Sequence, residues 1–267
     1  MFWIITISCI VFATILLVLL AIKLNLKMHY GLNGGLIVGA CSIVPVFFFC
    51  QALHIVSLLS IFLVEVLTIL ILTIVIILFR FFRDPERSVP IDDTIIISPA
   101  DGTIRYIHEL DNQVIPVSDK KGRNHVLSEL IKTDIIKEGS YLIGIEMSVL
   151  DNHVNRAPIA GKIIMQQPSK GKFLSLRSID AIFENERVTT IIENGMHKIA
   201  IIQIASRLVR RIVSFHQVDT SVQQGERLGM IRFGSQVDLI IPTYENVEIC
   251  IEKGEHVKAG ETIIARI

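Results

Sequence analysis

A serine that directly follows a glycine near the C-terminus, Ser235 after Gly234, could attack its own chain. Its hydroxyl lies one residue from the glycine carbonyl carbon, so an N-to-O acyl shift needs only a five-membered ring, and glycine leaves that carbonyl sterically open. Elimination from the resulting ester, followed by hydrolysis, would release ammonia and leave a pyruvoyl group on a new N-terminus. Gly-Ser is also a common turn dipeptide, and a lone example is more typical of a turn than of chemistry.

A histidine and an aspartate upstream, His153 and Asp101, could activate this serine. A serine hydroxyl needs a base to take its proton, and an imidazole can do so near neutral pH. A carboxylate can fix the tautomer of that imidazole and stabilise its charged form. Either residue alone is more typical of a hydrogen-bonded turn, so only their joint presence with Ser235 favours a catalytic role.

Five segments in colinear order closely resemble the short form of the phosphatidylserine decarboxylase proenzymes. The segments are Phe82–Arg87, Ser98–Gly102, Met147–Pro158, Asn185–Arg187 and Arg232–Ser235. The resemblance covers about residues 80–267 and implies self-cleavage between Gly234 and Ser235, with Asp101, His153 and Ser235 acting together. It further implies that Ser235 becomes a covalent pyruvoyl cofactor, which forms a Schiff base with phosphatidylserine, accepts the electrons released with CO₂ and yields phosphatidylethanolamine.

The resemblance also implies a partner arrangement, in which the cleaved large and small chains stay together as a heterodimer, and no external cofactor. Candidates for the phosphate or carboxylate of the substrate are arginines, which bind such groups bidentately, and one asparagine in the same motifs. These candidates are Arg156, Asn155, Arg187 and Arg232, with ordinary salt bridges as the alternative for each arginine. The spacing of the histidines predicts no metal site.

The residue after the cleavage site departs from the family pattern. Short-form relatives frequently carry arginine where this chain has Gln236, which leaves the efficiency of cleavage open. The long bacterial form has Leu-Gly-Ser-Thr at the site and a second histidine at the position of Arg156, so the short form fits better.

The charged residues are distributed unevenly along the chain. Hydrophobic residues make up 51% of the sequence, and before Arg80 the only charged side chains are Lys23, Lys27 and Glu65. The formal net charge is zero, which predicts no broad basic surface and therefore no nucleic-acid partner. The polar part is confined to the region after residue 80.

Two apolar runs, residues 2–22 and 55–79, are each long enough as helices to cross a hydrocarbon core of roughly 30 Å. Residues 35–53 form a third candidate that Pro45 and several glycines interrupt, and we favour three spans over two. The basic residues that flank these runs predict a multi-pass anchor of the cell membrane over residues 1–80, with the following domain cytoplasmic. A cleaved signal peptide at residues 2–22 is disfavoured because no basic segment precedes the run.

Residues 81–267 are predicted to form a mainly β domain with small helical insertions, the best helix candidate being Leu127–Lys137. The turn Pro-x-x-Gly-x-Ile occurs twice, at 99–104 and 158–163, which suggests a folded-over, barrel-sandwich arrangement of hairpins like that of lipoyl domains. No Met-Lys-Met tip is present, so a swinging-arm carrier is disfavoured.

Three functions therefore stay open. The first is decarboxylation of phosphatidylserine in the membrane, and the second is the same reaction on archaetidylserine, whose head group is identical. The third is a membrane-tethered, lipoyl-like binding module that never cleaves. The sequence determines neither the lipid chain type, nor the oligomeric state, nor which arginines bind the substrate.

Overall fold

The computed structural model describes residues 2–24, 26–110, 114–118, 124–126, 139–172, 174, 183–195, 197–206, 211–232, 235–243 and 247–267. For 114–118, 124–126 and residue 235 the backbone alone is described. The predicted helix Leu127–Lys137 and the residue Gly234 lie outside these ranges. The chain divides into two compact units, Met1–Phe82 and Arg83–Ile267.

The first unit consists of three helices that are long and apolar enough to cross a membrane. They are α1 (Phe2–Lys23), α2 (Met28–Ala52) and α3 (Leu58–Phe82). The three helices therefore agree in number with the three candidate spans that the sequence favours. Helix α2 runs through Pro45 and starts at Met28, earlier than the sequence-predicted start at residue 35.

The early start of α2 has a packing explanation in its glycines. Gly31, Gly35 and Gly39 lie every four residues along one face of α2, and all three contact the backbone of α1. A Cβ atom at Gly35 would lie 2.4 Å from the Cα atom of Thr14. Without a hydrophobic driving force between helices in lipid, such close backbone approach is what small residues provide. The glycines that looked like interruptions therefore form the contact surface.

A buried carboxyl group joins α3 to α1. Glu65 is 2% exposed, and its Oε1 atom accepts a hydrogen bond from the hydroxyl of Ser8 at 2.6 Å. Ionisable side chains inside a membrane segment normally face the bundle interior and pair there. Glu65 follows that rule.

The second unit is built from short antiparallel strands, as the alternation of apolar runs and turn residues predicts. The strands are β1 (Ile95–Ile97), β2 (Gly102–Leu110), β3 (Val114–Ser118), β4 (Asn124–Val126), β5 (Ser140–Met147), β6 (Val154–Arg156), β7 (Gly161–Ser169), β8 (Arg187–Glu193), β9 (Lys198–Ala205), β10 (Ile212–Ser214), β11 (Ser221–Val222), β12 (Arg227–Ile231), β13 (Ser235–Pro242), β14 (Glu248–Ile249), β15 (His256–Val257) and β16 (Ile263–Arg266).

An eight-stranded antiparallel sheet forms the centre of this unit, in the order β11-β7-β8-β9-β13-β5-β2-β15. It curls into a half-barrel, which confirms the mainly β class. Two three-stranded sheets, β1-β16-β14 and β10-β12-β6, and the hairpin β3-β4 complete the described strands. Strand β13 lies between β9 and β5, so the segment after residue 234 supplies a central strand.

Apolar side chains fill both faces of the large sheet. Val237 and Leu239 pack in one cluster, while Ile240 packs in the other, as the alternation of a strand requires. Burying an isoleucine or valine side chain contributes about 1.5–3 kcal/mol to folding. Both faces of β13 are covered, so its position in the sheet is fixed from two sides.

Candidate active site

The backbone of residue 235 is held in the middle of the large sheet. Ser235 pairs with Met147 of β5 on one side and with Ala205 of β9 on the other. In the uncut chain, this pairing on both sides limits the movement of the C-terminal side of the predicted cleavage bond.

His153 is the last residue of the connection from β5 to β6, and residue 235 is the first residue of β13, which follows β12 in the chain. Residues 148–153 lead from β5 to β6, and residues 232–234 lead from β12 to β13. Strand β5 pairs with β13, and β6 pairs with β12, with Val154 opposite Met230. The backbone N–H of Ile231 also donates to the carbonyl oxygen of His153 at 3.2 Å. The topology therefore brings the predicted base and the predicted nucleophile to one edge.

The imidazole of His153 is buried, with 0% exposure, and is oriented by main chain. Its Nδ1 atom lies 2.9 Å from the carbonyl oxygen of Asp151. Since a carbonyl oxygen only accepts, Nδ1 carries the proton and Nε2 is the basic atom. Burial lowers the pKa of His153 to about 4, although the hydrogen bond to Asp151 and the charge of its carboxylate oppose the shift. The neutral form needed by a general base thus dominates at neutral pH.

The loop that carries His153 is pinned by the side chain of Asp151. This carboxylate accepts hydrogen bonds from the backbone N–H of Ser148 at 2.7 Å and from Nε2 of His256 at 3.0 Å. Burial acts to raise the pKa of Asp151, but the bonds from His256 and Ser148 outweigh it and lower the pKa. The sequence assigned no role to either Asp151 or His256, since their contact spans distant parts of the chain.

Asp101 lies at the same edge of the sheet but is not bonded to His153. It precedes Gly102, and the next residue, Thr103, pairs with Glu146 of β5. One amino group of Arg87 donates to both carboxylate oxygens of Asp101, at 3.0 and 2.7 Å. The backbone N–H of Ala259 donates to the same carboxylate at 2.7 Å.

The direct Asp101–His153 contact that a hydrogen-bonded triad requires is therefore not among the hydrogen bonds of the described residues. The physical reason is competition, because a guanidinium group and a backbone N–H already occupy the carboxylate. The carbonyl of Asp151 orients the imidazole instead.

Three of the four candidates for substrate binding are committed to the scaffold. Arg156 is buried, and its guanidinium donates to Asp84 at 3.1 Å and to the carbonyl oxygens of Pro85 and Gly225 at 3.1 and 2.9 Å. Asn155 accepts a hydrogen bond from Gln203 at 2.8 Å.

Arg187 is likewise engaged, since its guanidinium donates to the carbonyl oxygen of Phe183 at 2.6 Å. Burial lowers its pKa, although the charge of Asp238 opposes this. An arginine held in this way is not available to a lipid head group without loss of internal hydrogen bonds.

Arg232 differs from these residues. It is half-buried and lies three positions before Ser235, and its backbone N–H donates to the carbonyl oxygen of Arg211 at 3.2 Å. Within the described part of the chain its guanidinium makes no hydrogen bond or ion pair, and its Nε atom is buried. It is the candidate best placed to accept an external anion.

A segment before the first strand, Arg83–Pro90, is held to the β unit by ion pairs; we call it the strap. Arg87 contacts Glu261 at 3.6 Å in addition to Asp101. Asp84 pairs with Arg156 and Arg227, and Glu86 pairs with Arg227 at 2.8 Å. The sequence marked this segment as a family motif without a role, and the structure gives it one in holding Asp101.

Among the described residues no group of three histidine, cysteine, aspartate or glutamate side chains is arranged to hold a metal ion. The residues around position 235 fit a pyruvoyl group formed in place, because the backbone that would carry it pairs with two strands and the backbone of His153 is hydrogen-bonded to the end of the preceding strand β12.

Comparison with known proteins supplies the family. The family model described as phosphatidylserine decarboxylase matches residues 75–265. A Desulfotalea psychrophila protein named phosphatidylserine decarboxylase proenzyme is 39% identical, over 76% of this chain and 85% of its own length. A similarly named Wolbachia protein is 40% identical, over 70% of this chain and 74% of its own. A Methanothermobacter thermautotrophicus protein, provisionally named archaetidylserine decarboxylase proenzyme, is 39% identical over 74% of this chain and 84% of its own.

Proposed function

Because the chain belongs to the phosphatidylserine decarboxylase family and is a carboxy-lyase, we propose that it splits itself between Gly234 and Ser235 and then decarboxylates phosphatidylserine to phosphatidylethanolamine. The observation that carries this proposal is the shared edge of His153 and residue 235, since His153 directly precedes β6, residue 235 begins β13, and these strands pair with β12 and β5. Activating a serine requires a base within hydrogen-bond reach, and His153 is the base that we assign to this edge.

In the self-cleavage step the hydroxyl of Ser235 adds to the carbonyl carbon of Gly234, and His153 takes the hydroxyl proton. The C–N bond breaks, the nitrogen of residue 235 gains a proton, and an ester links the two halves. Removal of the α-proton expels the carboxylate of Gly234 and leaves a dehydroalanine. Water then replaces its nitrogen, which leaves as ammonia, and the residue ends as a pyruvoyl group.

The neutral state of His153 suits two proton transfers, one in self-cleavage and one in decarboxylation. With Nδ1–H held by the carbonyl of Asp151, the Nε2 atom can accept a proton from Ser235 and later return one to the product carbon. Asp101 then acts as a positioning residue, since it ties the strap through Arg87 and the small chain through Ala259 to the same edge.

When formed, the pyruvoyl group supplies an electrophilic carbonyl that condenses with the substrate amine and draws electrons as CO₂ leaves. The protein's own contribution is to bind and orient the head group. We assign Arg232 to an anionic group of the substrate, the phosphate or the carboxylate, because a half-buried guanidinium that has no hydrogen-bond or ion-pair partner among the described residues can bind an oxyanion bidentately.

Replacing Arg232 tests this assignment. We expect Arg232→Gln to be cleaved normally and to raise KM for phosphatidylserine by about ten-fold or more, since a charge-assisted hydrogen bond contributes about 1.5–3 kcal/mol. The matched control is Arg211→Gln, because Arg211 is exposed and its carbonyl oxygen accepts the hydrogen bond from the backbone N–H of Arg232. An unchanged KM in Arg232→Gln, or an equal rise in the control, would reject the assignment.

The three apolar helices bring the enzyme to a substrate that stays in the bilayer. Each buried methylene retains a lipid by about 0.8 kcal/mol, so a diacyl substrate does not reach a dissolved enzyme readily. The positive-inside rule supports a multi-pass protein of the cell membrane with its β unit in the cytoplasm.

The test of the proposed function is the intact mass of the small fragment in purified protein. We expect a chain that starts at residue 235 with a pyruvoyl cap, which reports the cleavage position and the loss of ammonia together. A single unmodified 30.0 kDa chain in an active preparation would reject the proposal. An inactive single chain would favour the tethered binding module.

One specific observation keeps archaetidylserine as a second substrate candidate. The relative of that provisional name matches this chain at 39% identity, the same figure as the Desulfotalea relative. Assays with phosphatidylserine and with an ether-linked isoprenoid serine lipid in matched vesicles separate the two, because the preferred substrate gives the larger kcat/KM.

A further inference from the structure

Four buried or partly buried polar side chains form a cluster that includes the second residue after the predicted cleavage bond, and the chemistry above gives it no role. The cluster consists of Arg105 and Tyr106 of β2 and Gln236 and Asp238 of β13, and we call it the Gln236 cluster. Gln236 and Asp238 are fully buried, and Tyr106 is 8% exposed.

The side-chain amide of Gln236 is saturated with hydrogen bonds. Its Nε2 atom donates to Asp238 at 2.6 Å and to the hydroxyl of Tyr106 at 2.7 Å. Its Oε1 atom accepts from Arg105 at 3.1 Å. Tyr106 in turn donates its hydroxyl proton to Asp238 at 2.7 Å. Both amide protons are used, so the side chain has one orientation.

The apolar surroundings of the Gln236 cluster mean that it contributes little to the stability of the fold. Ile202, Ile204 and Ile240 pack on the same face of the sheet. Burying polar groups among apolar ones is often no better for stability than replacing them with hydrophobic residues. Burial raises the pKa of Asp238 to about 6, although the bonds from Gln236 and Tyr106 and the charges of Arg105 and Arg187 oppose the rise.

Cleavage would create a new chain end at residue 235, and the Gln236 cluster can hold that end in place. Once the bond before residue 235 is cut, β13 begins with that residue, and chain ends fray unless they are tied down. Among the described residues, the backbone of residue 235 pairs with Met147 and Ala205. The next residue, Gln236, is fixed through its side chain to the neighbouring part of the sheet.

We propose that Gln236 is a positioning residue, held by Arg105, Tyr106 and Asp238, that fixes the amide bearing the pyruvoyl group and so keeps the keto carbon aligned after the chain is cut. This inference rests on the proposed self-cleavage. A misplacement of about 1 Å can cost on the order of a hundred-fold in rate, so a local clamp at a new chain end has a large effect on kcat.

Two variants and one control test the inference in the full-length protein. Gln236→Met keeps the length and apolar volume but removes the amide, and Tyr106→Phe removes one hydroxyl. Thr189→Val is the control, since it also removes a buried hydroxyl. Thr189 pairs with Ile202, which pairs with Asp238, and its hydroxyl has no hydrogen-bond partner among the described residues.

Three quantities are measured on the cleaved protein in detergent. Keto groups are counted by mass after reaction with a hydrazine reagent, kcat and KM for phosphatidylserine are expressed per keto group, and hydrogen exchange is followed at the amide of Gln236 or of the residue replacing it. We expect both variants to lower kcat by about ten- to a hundred-fold with KM unchanged, and to speed exchange by about ten-fold, while Thr189→Val matches the wild type.

Wild-type kcat per keto group and wild-type exchange in both variants would overturn the inference, even if their melting temperatures fell. If Gln236→Met does not fold, the milder Tyr106→Phe decides by the same criteria. A wild-type protein that never splits contradicts the proposed function itself, so the two failures are distinguishable.

Discussion

Burial and one main-chain hydrogen bond set the protonation state and the tautomer of His153. The main-chain carbonyl of Asp151 fixes the tautomer, and desolvation holds the imidazole neutral. A neutral imidazole with a basic Nε2 atom is what the attack of Ser235 requires. At this scale the chemistry depends on the peptide backbone as much as on the triad residues expected from the sequence.

Replacing the nucleophile or the base should stop maturation. We expect Ser235→Ala to persist as one 30.0 kDa chain without decarboxylase activity, and His153→Gln to behave nearly the same, because either change removes a partner of the proton transfer. Denaturing gels of freshly made protein measure this. Ser221→Ala, on the short strand β11, should split normally, and splitting of Ser235→Ala would contradict the assignment.

The low pKa of His153 predicts the pH dependence of self-cleavage. A base works only when unprotonated, so the rate should stay level as pH falls from neutral and should halve only near the His153 pKa of about 4. An ordinary histidine, with a pKa of 6.5, would lose half of the rate at pH 6.5. Time courses of precursor splitting at several pH values distinguish the two, and a midpoint near 6.5 would show that the imidazole is more solvated than the structure indicates.

At the scale of elements, the contact between α1 and α2 depends on glycines that let two backbones touch. Gly35→Ile should separate these helices and destabilise the membrane unit by about 1–3 kcal/mol, because the added side chain meets the backbone of Thr14. Unfolding in mixed detergent micelles, followed by circular dichroism, measures the loss.

Gly34→Ile is the matched control for that change. A Cβ atom at Gly34 meets only the end of the Leu17 side chain, at 3.1 Å, and that side chain can move. Equal destabilisation by the two variants would mean that propensity, rather than helix contact, explains the loss.

Sequence patterns predicted the kinds of element well, because apolar run length and strand alternation are local properties. Three helices long and apolar enough to cross a membrane and a mainly β unit follow from them. The start of α2 was missed because Gly31 to Gly35 looks like a loop unless a partner helix is known to lie against it. The spacing of glycines along a sequence does not show which neighbouring helix they contact.

The members of the candidate site stay a prediction from the sequence. The structure brings His153 and residue 235 to one edge of the sheet, because β6 pairs with β12 and β5 pairs with β13. The pairing of Asp101 with Arg87, and of Asp151 with His256, could not be read from the sequence. Each links elements whose proximity only the folded sheet creates.

At the scale of the molecule, the small chain formed by cleavage would contribute strands to two sheets of the β unit. It supplies β13 between β5 and β9, β15 at the edge of the large sheet, and two strands of the sheet β1-β16-β14. Breaking one peptide bond removes none of these strand pairs.

The two chains should therefore stay together after maturation. We expect both fragments to elute as one particle on size exclusion in mild detergent and to separate only in denaturant, since β13 is hydrogen-bonded along both sides. Intact Ser235→Ala provides the reference particle size. Loss of the small chain during gentle purification would contradict the sheet order described above.

Under the proposed mechanism, the central place of β13 also limits how long each enzyme molecule can work. A keto group lost to a side reaction, such as conversion to an amine, would not be renewed, because the strand that carries it cannot be exchanged and the bond between Gly234 and Ser235 would already be cut. Each catalytic centre would then be made once, and a cell that needs more of them would have to translate new protein.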